Sequence, residues 1–379
     1  MNIIIIGGGF SGLQALTKLK SVSANPNHKV TLIDRKDYAC MIPAAPDVAG
    51  GRIDPEILVE DLKNLIPVGV KFARCNVQHL DLENKKINTD KDDYSYDYLV
   101  IASGSDPNFH GFDQHLEKVF PLTGLKHAEK IKREFDVYLE QKDNPKVVIS
   151  GTGYTALELA GNLKVAAQRK NRKIHLTLVE MSDQILPFLS EKQRNRIHRF
   201  IKRMGFELMT GDRVIKFDGE NVILDSGKEI KGVFLCWTTG AKISIPEIKG
   251  DIDQINDGRL KVNSFLQPDG YPEVFVAGDA AAISSNGGYL RRAVNFSYYS
   301  GTCAGENIAR SLDGRNLKKF KPLDLGWVIP LLDDSVGIVF GKIPIKGKIG
   351  LRMHYFMCGF RNFNKSNARE FYKISLKLP

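Results

Sequence analysis

Two copies of one short pattern govern what this chain can fold into. The first joins an apolar run, Ile3-Ile4-Ile5-Ile6, to Gly7-Gly8-Gly9-Phe10-Ser11-Gly12 and returns through a second apolar strand that ends at Asp34. The second joins Lys146-Val147-Val148-Ile149-Ser150 to Gly151-Thr152-Gly153-Tyr154-Thr155-Ala156, runs a helix over Leu157 to Ala167, and returns through His175-Leu176-Thr177-Leu178-Val179 to Glu180. Each copy reads strand, glycine turn, helix, strand, acid. In such a βαβ unit the first glycine permits the tight turn, the second lets backbone approach a pyrophosphate, and the third small residue lets helix pack on strand. A phosphate then rests at the helix N-terminus, where unpaired amides and the helix dipole favour negative charge. The acid follows about twenty residues beyond the glycines, where a carboxylate accepts hydrogen bonds from a ribose.

A glycine-rich turn by itself can serve packing alone. Strand, glycines, helix and acid in register point instead to a dinucleotide, and two such units imply two nucleotides. The expected class is α/β, with two Rossmann-like dinucleotide-binding domains. Glu180 would repel a 2′-phosphate, which favours NADH over NADPH. The alternative for Glu180 is a strand-end acid that is simply solvated.

Between and beyond these units the reading is coarser. Tyr38 to Gly51 is rich in small and turn-forming residues and reads as a loop and helix start beside the nucleotide, not as a regular element. Ile57 to Leu65 reads as helix, and Val70 to Phe72 with Asn76-Val77 as a strand returning to the sheet. Tyr98 to Ser105 is a buried strand closing in small residues, as needed where backbone passes close to a ligand. Helices are expected over Leu125 to Leu139 and Glu191 to Met204. The latter has Ile197, Phe200, Ile201 and Met204 on one face, and its Lys and Arg residues form a solvated outer face, not a nucleic-acid patch. Strands follow through an Asp225-Ser226-Gly227 turn and close at Trp237-Thr238-Thr239-Gly240. Glu273 to Val276 is a strand running through Gly278-Asp279 into a helix. Asp279 is either that helix's N-cap or, at the carboxyl end of a parallel strand, a group facing the ligand crevice.

The 379 residues suffice for two or three domains. No stretch approaches the roughly twenty apolar residues that span a bilayer. The chain begins directly with its first strand and carries Asn2 where myristoylation needs Gly, so neither leader nor lipid is expected. The expected location is cytoplasmic, at most peripheral on the inner face of the membrane. Five cysteines are scattered without a Cys-x-x-Cys pair, and the eight histidines show no ligand-like spacing. That pattern fits a reducing compartment and predicts no metal site.

Together these motifs resemble the two-dinucleotide-binding-domain flavoprotein superfamily and, within it, the type II NADH dehydrogenase family of single-subunit NADH:quinone oxidoreductases. The resemblance runs from Met1 to about Gly341 and rests on Gly7 to Gly12, Ser103-Gly104, Gly151 to Gly161 with Glu158, Glu180, Trp237 to Gly240, and Val274 to Ala281. It implies an FAD domain over 1–108 and 246–325, an NAD(P)H domain over 109–245 inserted into it, and a basic region over 326–379. It also implies hydride transfer from NADH to FAD, then electron transfer to a quinone or other small acceptor. FAD would be held by Gly7, Gly9, Phe10, Ser11 and Gly12, by Asp34, Arg35, Pro43 and Val77, by Ser103 and Gly104, and by Asp279 and Ala280. NADH would be held by Gly151, Gly153, Tyr154, Thr155, Glu158, Glu180 and Gly240. Glu158 would be the catalytic group, where nicotinamide meets isoalloxazine; its bland role is a carboxylate favoured by the helix N-terminal dipole.

The family's aromatic-glutamine pair and double glutamine are replaced here by Met41-Ile42-Pro43-Ala44-Ala45-Pro46 and Asn295-Phe296-Ser297-Tyr298-Tyr299-Ser300-Gly301. Asn295 and Tyr299 are the remaining candidate quinone contacts. Pro43 to Pro46 is similar to the corresponding loop of sulfide:quinone oxidoreductases, but the paired cysteines of those enzymes are missing, so Cys40 and Cys303 read as inert hydrophobes. Three alternatives stay open: a soluble flavin reductase serving an iron–sulfur protein, a sulfide:quinone oxidoreductase-like enzyme, and an NADH-sensing binding protein of the apoptosis-inducing-factor type.

The net charge of +10 is concentrated at the end, where from Lys342 onward nine Lys or Arg face one acid, Glu370. Within that tail Ile349, Met353, Phe356, Phe360 and Phe363 are spaced along one helical face, with Phe371 and Ile374 as extensions. A basic amphipathic helix with aromatics fits a membrane interface. Equally, it fits a stripe packed on the FAD domain or on a second subunit of a homodimer.

Overall fold

The computed structural model describes residues 1–244, 247–285 and 287–377. Its contacts group into two units: Met1–Ala39, Glu60–Asp106 and Lys242–Asp324 in one, and Cys40–Val59, Pro107–Ala241 and Leu325–Pro379 in the other. Cys40–Val59 and the tail therefore group with the second glycine turn, whereas the sequence reading set its boundaries at 108, 245 and 325.

The first unit is built on a five-stranded parallel sheet in the order Val274–Val276, Tyr98–Ile101, Asn2–Ile6, Lys29–Asp34, Val70–Arg74. Parallel strands covered on both faces demand near-continuous apolar runs. Ile3, Ile5, Leu32, Ile33, Leu99, Val100 and Phe275 are accordingly all fully buried. The helix Phe10–Lys18 is pressed against the long helix Val294–Leu312. This close approach requires glycine. A Cβ on Gly301 would lie 2.0 Å from the Ser11 carbonyl oxygen, and one on Gly305 would lie 2.4 Å from that of Ala15. Val77–Asp81 does not extend this sheet; it belongs to a separate four-stranded sheet.

The second unit repeats the plan. Its parallel sheet runs Val119–Pro121, Val233–Trp237, Lys146–Ser150, His175–Glu180, Glu207–Thr210. The expected helix Glu191–Met204 forms with those bounds. Ser190 and Gln193 close a capping box at its start, and Gly205, in the left-handed region, ends it. A three-stranded antiparallel sheet, Gly326–Leu331, Asp334–Val339 and Ile343–Lys346, leads to two tail helices, Gly347–Phe360 and Lys365–Lys377.

Several expectations are corrected. Ile57 to Leu65 is not one helix but a 3-10 turn Pro55–Leu58, a short strand Val59–Asp61 and a helical turn Leu62–Leu65. Asp61 has extended backbone and accepts a hydrogen bond from the Lys63 amide at 2.8 Å, which starts a helix after it rather than through it. The Tyr38 to Gly51 stretch contains a regular element, the helix Ala45–Ala49, entered through a 3-10 turn at Ile42–Ala44. Asp279 does not open a helix. It lies in a 3-10 turn, Gly278–Ala280, and the next helix begins only at Val294.

In the tail, the aromatic stripe is on the outside. Ile349, Met353, Phe356 and Phe360 are 69%, 36%, 46% and 57% exposed, while Leu351, Tyr355 and Cys358 form the buried face. The periodicity found an apolar face, but polar anchoring chose a different one, because the Tyr355 hydroxyl donates to the buried Asp47 carboxylate. The stripe does not continue to Phe371, which is fully buried on the second tail helix. Asn364 separates the helices by accepting from the Asn367 amide at 2.7 Å.

Gly301→Ala tests the helix contact. It should lower the stability of the purified protein by about 1–3 kcal/mol, the usual effect of overpacking, seen as a fall in the urea midpoint without a change in slope.

Candidate functional site

The first glycine turn leaves its strand at Gly7, whose φ of +104° is one that side-chain-bearing residues rarely adopt and whose Cβ would lie 2.1 Å from the Ala102 carbonyl oxygen. Gly12 holds the helix on the strand, since its Cβ would lie 1.8 Å from the Gly7 carbonyl oxygen. Beyond Gly9, by contrast, a Cβ would meet nothing within 4 Å. The helix that follows has no side-chain cap and no acid in its first turn, so its leading amides face open space. Asp34 closes the cradle: its Oδ2 accepts from the Gly8 amide at 2.6 Å and its Oδ1 from the Lys36 amide at 2.7 Å. An ionised carboxylate offers about four acceptor sites, so two remain for ribose hydroxyls.

Around this cradle the unit places Ser103, Gly104, Asp279 and Ala280 at the ends of neighbouring strands. The Ser103 hydroxyl is buried with no partner among the described residues, and Gly104 adopts a φ of +72° with open space beside it. Asp279 accepts from Ser105 Oγ at 3.2 Å and Ser297 Oγ at 3.4 Å and makes no capping bond, which removes its N-cap reading. Ser11 is buried beneath Gly278, and Phe10 opens the helix. Arg35 pairs with Asp106; hydrogen bonding to Asp106 raises the guanidinium, and Arg35 in turn holds the Asp106 carboxyl below its usual range despite burial. Val77 lies in the separate sheet, and Pro43 falls in the other unit, within the Ile42–Ala44 turn. An orphaned hydroxyl, an uncapped helix and open space beyond Gly9 are what a flavin adenine dinucleotide needs.

The second cradle reproduces this chemistry. Gly151 has a φ of +99°, and a Cβ on Gly153 would meet nothing within 4 Å. Glu180 Oε2 accepts from the Thr152 amide at 3.1 Å and its hydroxyl at 2.6 Å, while Oε1 accepts from the Ser182 amide at 3.0 Å. Glu180 is thus locked to its glycine turn just as Asp34 is. Tyr154 and Thr155 open the second helix. The Tyr154 ring packs with Phe188 and Trp327 at centroid separations of 6.0 and 5.7 Å. Gly240 has a φ of +127° beside Thr239, whose carbonyl contacts His110 Nε2 at 3.0 Å.

Glu158 lies one turn into this helix, part-buried. Burial, reinforced by the nearby Asp47 charge, raises its carboxyl well above the usual carboxylate range, and Arg52 offsets only part of this. A helix-dipole carboxylate would be stabilised as an anion; Glu158 is held in the opposite direction. Neither Asp47 nor its partners Asn162, Arg52 and Tyr355 stand out in the sequence. The one available signal is an acid set in the otherwise apolar run Pro43 to Ala49.

Among the quinone candidates, the Asn295 amide nitrogen donates to the Leu323 carbonyl while its Oδ1 is buried without a partner among the described residues, and Tyr299 stands edge-on to Tyr298. Arg292, just before this helix, has buried Nε and Nη2 atoms without hydrogen-bond partners among the described residues, its Nη2 standing 3.5 Å from Asp257 Oδ2, and it lines a small cleft with Asp279, Phe296 and Ser297. All five cysteines are free thiols. Burial pushes Cys303 up to about 11 and Cys236 higher still, so these are not redox-active thiolates. No metal-binding group of His, Cys, Asp and Glu occurs among the described residues.

The model of the pyridine nucleotide-disulphide oxidoreductase family matches residues 1–297. A type II NADH:quinone oxidoreductase of Staphylococcus aureus strain NCTC 8325 is 25% identical over 374 residues, covering 91% of each chain. One from Staphylococcus saprophyticus is 24% identical over 368 residues at the same coverage. Among solved structures, NDH2 from Plasmodium falciparum in complex with NADH is similar with a TM-score of 0.84 at 16% identity, over 99% of this chain and 97% of that one. The sulfide:quinone oxidoreductase of Aquifex aeolicus is similar with a TM-score of 0.79 at 19% identity, over 100% and 95%.

Two measurements check this chemistry. Glu180→Gln removes the charge that disfavours a 2′-phosphate, so the ratio of NADH to NADPH turnover should fall; an unchanged ratio refutes the ribose assignment. Burial and the Arg52 charge hold His354 down to about 4, against an ordinary value of 6.5. The folded protein therefore binds fewer protons than the unfolded chain between those values, and stability falls as pH drops through that window. His354→Gln should flatten this acid-side fall, read as the thermal midpoint of variant against wild type at successive pH values.

Proposed function

The chain belongs to the pyridine nucleotide-disulphide oxidoreductase family, and from that premise we propose that it is an FAD-dependent NADH dehydrogenase that passes the electrons of NADH to a quinone. The observation that carries this reading is the duplicated cradle. Asp34 and Glu180, each locked by the amide of its own glycine turn, provide two ADP sites in one chain. The lack of a redox cysteine pair separates it from the disulphide-reducing members of the family, and its similarity to type II NADH:quinone oxidoreductases points to quinone as acceptor.

In this mechanism FAD, when bound, supplies a two-electron carrier, and the protein's work is binding and placement. The amides following Gly9 and Gly153 hold pyrophosphates; Asp34 and Glu180 fix the riboses; Asp279, with Ser105 and Ser297, orients the ribityl chain. No side chain needs to act as a nucleophile. Glu158 presents a neutral carboxyl near the nicotinamide end of the second cradle, while Asn295 and Tyr299 are the candidate quinone contacts.

We further propose that the tail lies at a membrane interface. No helix among the described residues is long and apolar enough to cross a bilayer. Ile349, Met353, Phe356 and Phe360 present an exposed apolar face amid basic residues, and burying each would gain roughly 1.5–3 kcal/mol. Each nearby Lys or Arg adds about 1 kcal/mol at an anionic surface.

Anaerobic NADH should bleach the flavin absorbance, and a short-chain quinone should restore it; a yellow protein untouched by NADH refutes the reading. In flotation with anionic vesicles, replacing Ile349, Phe356 and Phe360 by Ser should release the protein from the lipid fraction without loss of bound flavin. Retention of the triple variant on the vesicles would overturn the anchor.

A further inference from the structure

Within the second unit, one buried cluster gathers more negative charge than the cations facing it can balance. Asp47, 4% exposed on the helix Ala45–Ala49, accepts from the Tyr355 hydroxyl at 3.0 Å on Oδ1 and 3.1 Å on Oδ2. Asn162 donates to Oδ1 at 3.3 Å, and Arg52 Nη1 stands 3.4 Å from the same oxygen. Glu158 lies one helical turn before Asn162, whose amide also donates to the Glu158 carbonyl at 3.0 Å.

Arg52 pairs with Asp47, and the charges of both act on the Glu158 carboxyl, so two carboxyls share one guanidinium. The groups turned toward them from the first tail helix add no cation. His354 is neutral at ordinary pH, and Tyr355 and Cys358 are held protonated chiefly by burial. Arg169, on Glu158's own helix, is tied to the carbonyls of Gly50 and Gly51 at 3.3 and 2.9 Å. An unpaired buried charge costs several kcal/mol, so such a cluster retains one proton shared over the pair. The hydrogen bonds decide which carboxyl keeps it. Burial raises both carboxyls, but Arg52, Tyr355 and Asn162 act against it at Asp47, whereas at Glu158 only Arg52 does and none of the described residues donates to the carboxyl. A carboxylate with several donors is favoured as an anion. The Oδ1 of Asn162 is buried beside the pair without a partner among the described residues.

We propose that Asp47, clamped by Tyr355, is a positioning residue for Glu158: a fixed buried anion that keeps the Glu158 carboxyl protonated at neutral pH, so that the tail helix sets the charge at the second cradle. The purpose assigned to this proton rests on the function proposed above. NADH gives up a hydride, whereas reduction of a quinone to a quinol takes two electrons and two protons. One proton per turnover must therefore come from water. Glu158 holds one that it can release and then regain from solvent, with Arg52 offsetting the transient second negative charge.

Infrared titration of the purified flavoprotein tests the coupling, with Glu158→Gln identifying the Glu158 protonated-carboxyl band. The wild type should show this band at neutral pH and lose it only on the alkaline side. Asp47→Asn removes the neighbouring anion and should lower the midpoint by about one pH unit or more. Tyr355→Phe removes a donor from Asp47, moves the shared proton toward it, and should lower the Glu158 midpoint as well; Asp47→Glu should restore it. Merely structural damage would move thermal stability and flavin content but not the midpoint. A flavin-loaded Asp47→Asn or Tyr355→Phe protein with the wild-type midpoint overturns the proposal, as does a wild type lacking the band at neutral pH. Because the titration needs neither NADH nor quinone, shifted midpoints in a protein that does not oxidise NADH would support the coupling and refute the functional reading.

Discussion

Each nucleotide cradle depends on one interaction, the hydrogen bond between a strand-end carboxylate and the backbone amide of its own glycine turn. Asp34 makes it to Gly8 and Glu180 makes it to Thr152. The bond joins the end of the second strand to the turn leaving the first, so the acid proposed to read a ribose and the amides proposed to hold a pyrophosphate form one piece. It also explains why the acids are tolerated at the ends of buried strands. Each carboxylate accepts from two backbone amides and is a satisfied acceptor before any ligand arrives. Glycine makes the bond reachable, because Gly7 and Gly151 both turn through positive φ.

The two units differ in what surrounds that shared device. The first is closed by the long helix Val294–Leu312, seated through Gly301 and Gly305 on the Ser11 and Ala15 backbone. The second is backed by the tail, where Leu332 sits where a Cβ on Gly161 would be and Trp327 meets the ring of Tyr154. A C-terminal segment that looks like an appendage in sequence is thus part of the wall behind the second fingerprint helix. Its first helix faces two ways, with Tyr355 held by a buried carboxylate and Phe356 beside it exposed.

That division gives the tail's aromatics a consistent meaning. The inward face sets the apolar Leu351 beside residues with a polar handle or small volume, Tyr355, Cys358 and Gly359. The outward ones are large and purely apolar, as in Ile349 and Phe360. Burying Tyr355 is tolerated because its hydroxyl finds Asp47, and Asp47 because it finds Tyr355, Asn162 and Arg52. Glu158, to whose carboxyl none of the described residues donates, is raised well above the usual carboxylate range by burial and then by the Asp47 charge.

Both βαβ units, their acids, the Glu191–Met204 helix and the lack of a cysteine pair were legible in the sequence, because each is a local pattern whose cause lies within about thirty residues of chain. Propensity failed where local signals compete, as at Ile57 to Leu65, where an N-cap at Asp61 breaks an apolar run. It failed again after Gly278, where a turn replaces the expected helix. What only the tertiary structure decided is which face of the tail turns inward and which acid is buried. Hydrophobic spacing marks several apolar faces equally well. The choice between them was made by a hydrogen bond joining Tyr355 to Asp47 across most of the chain's length, and no local pattern encodes a partner that far away.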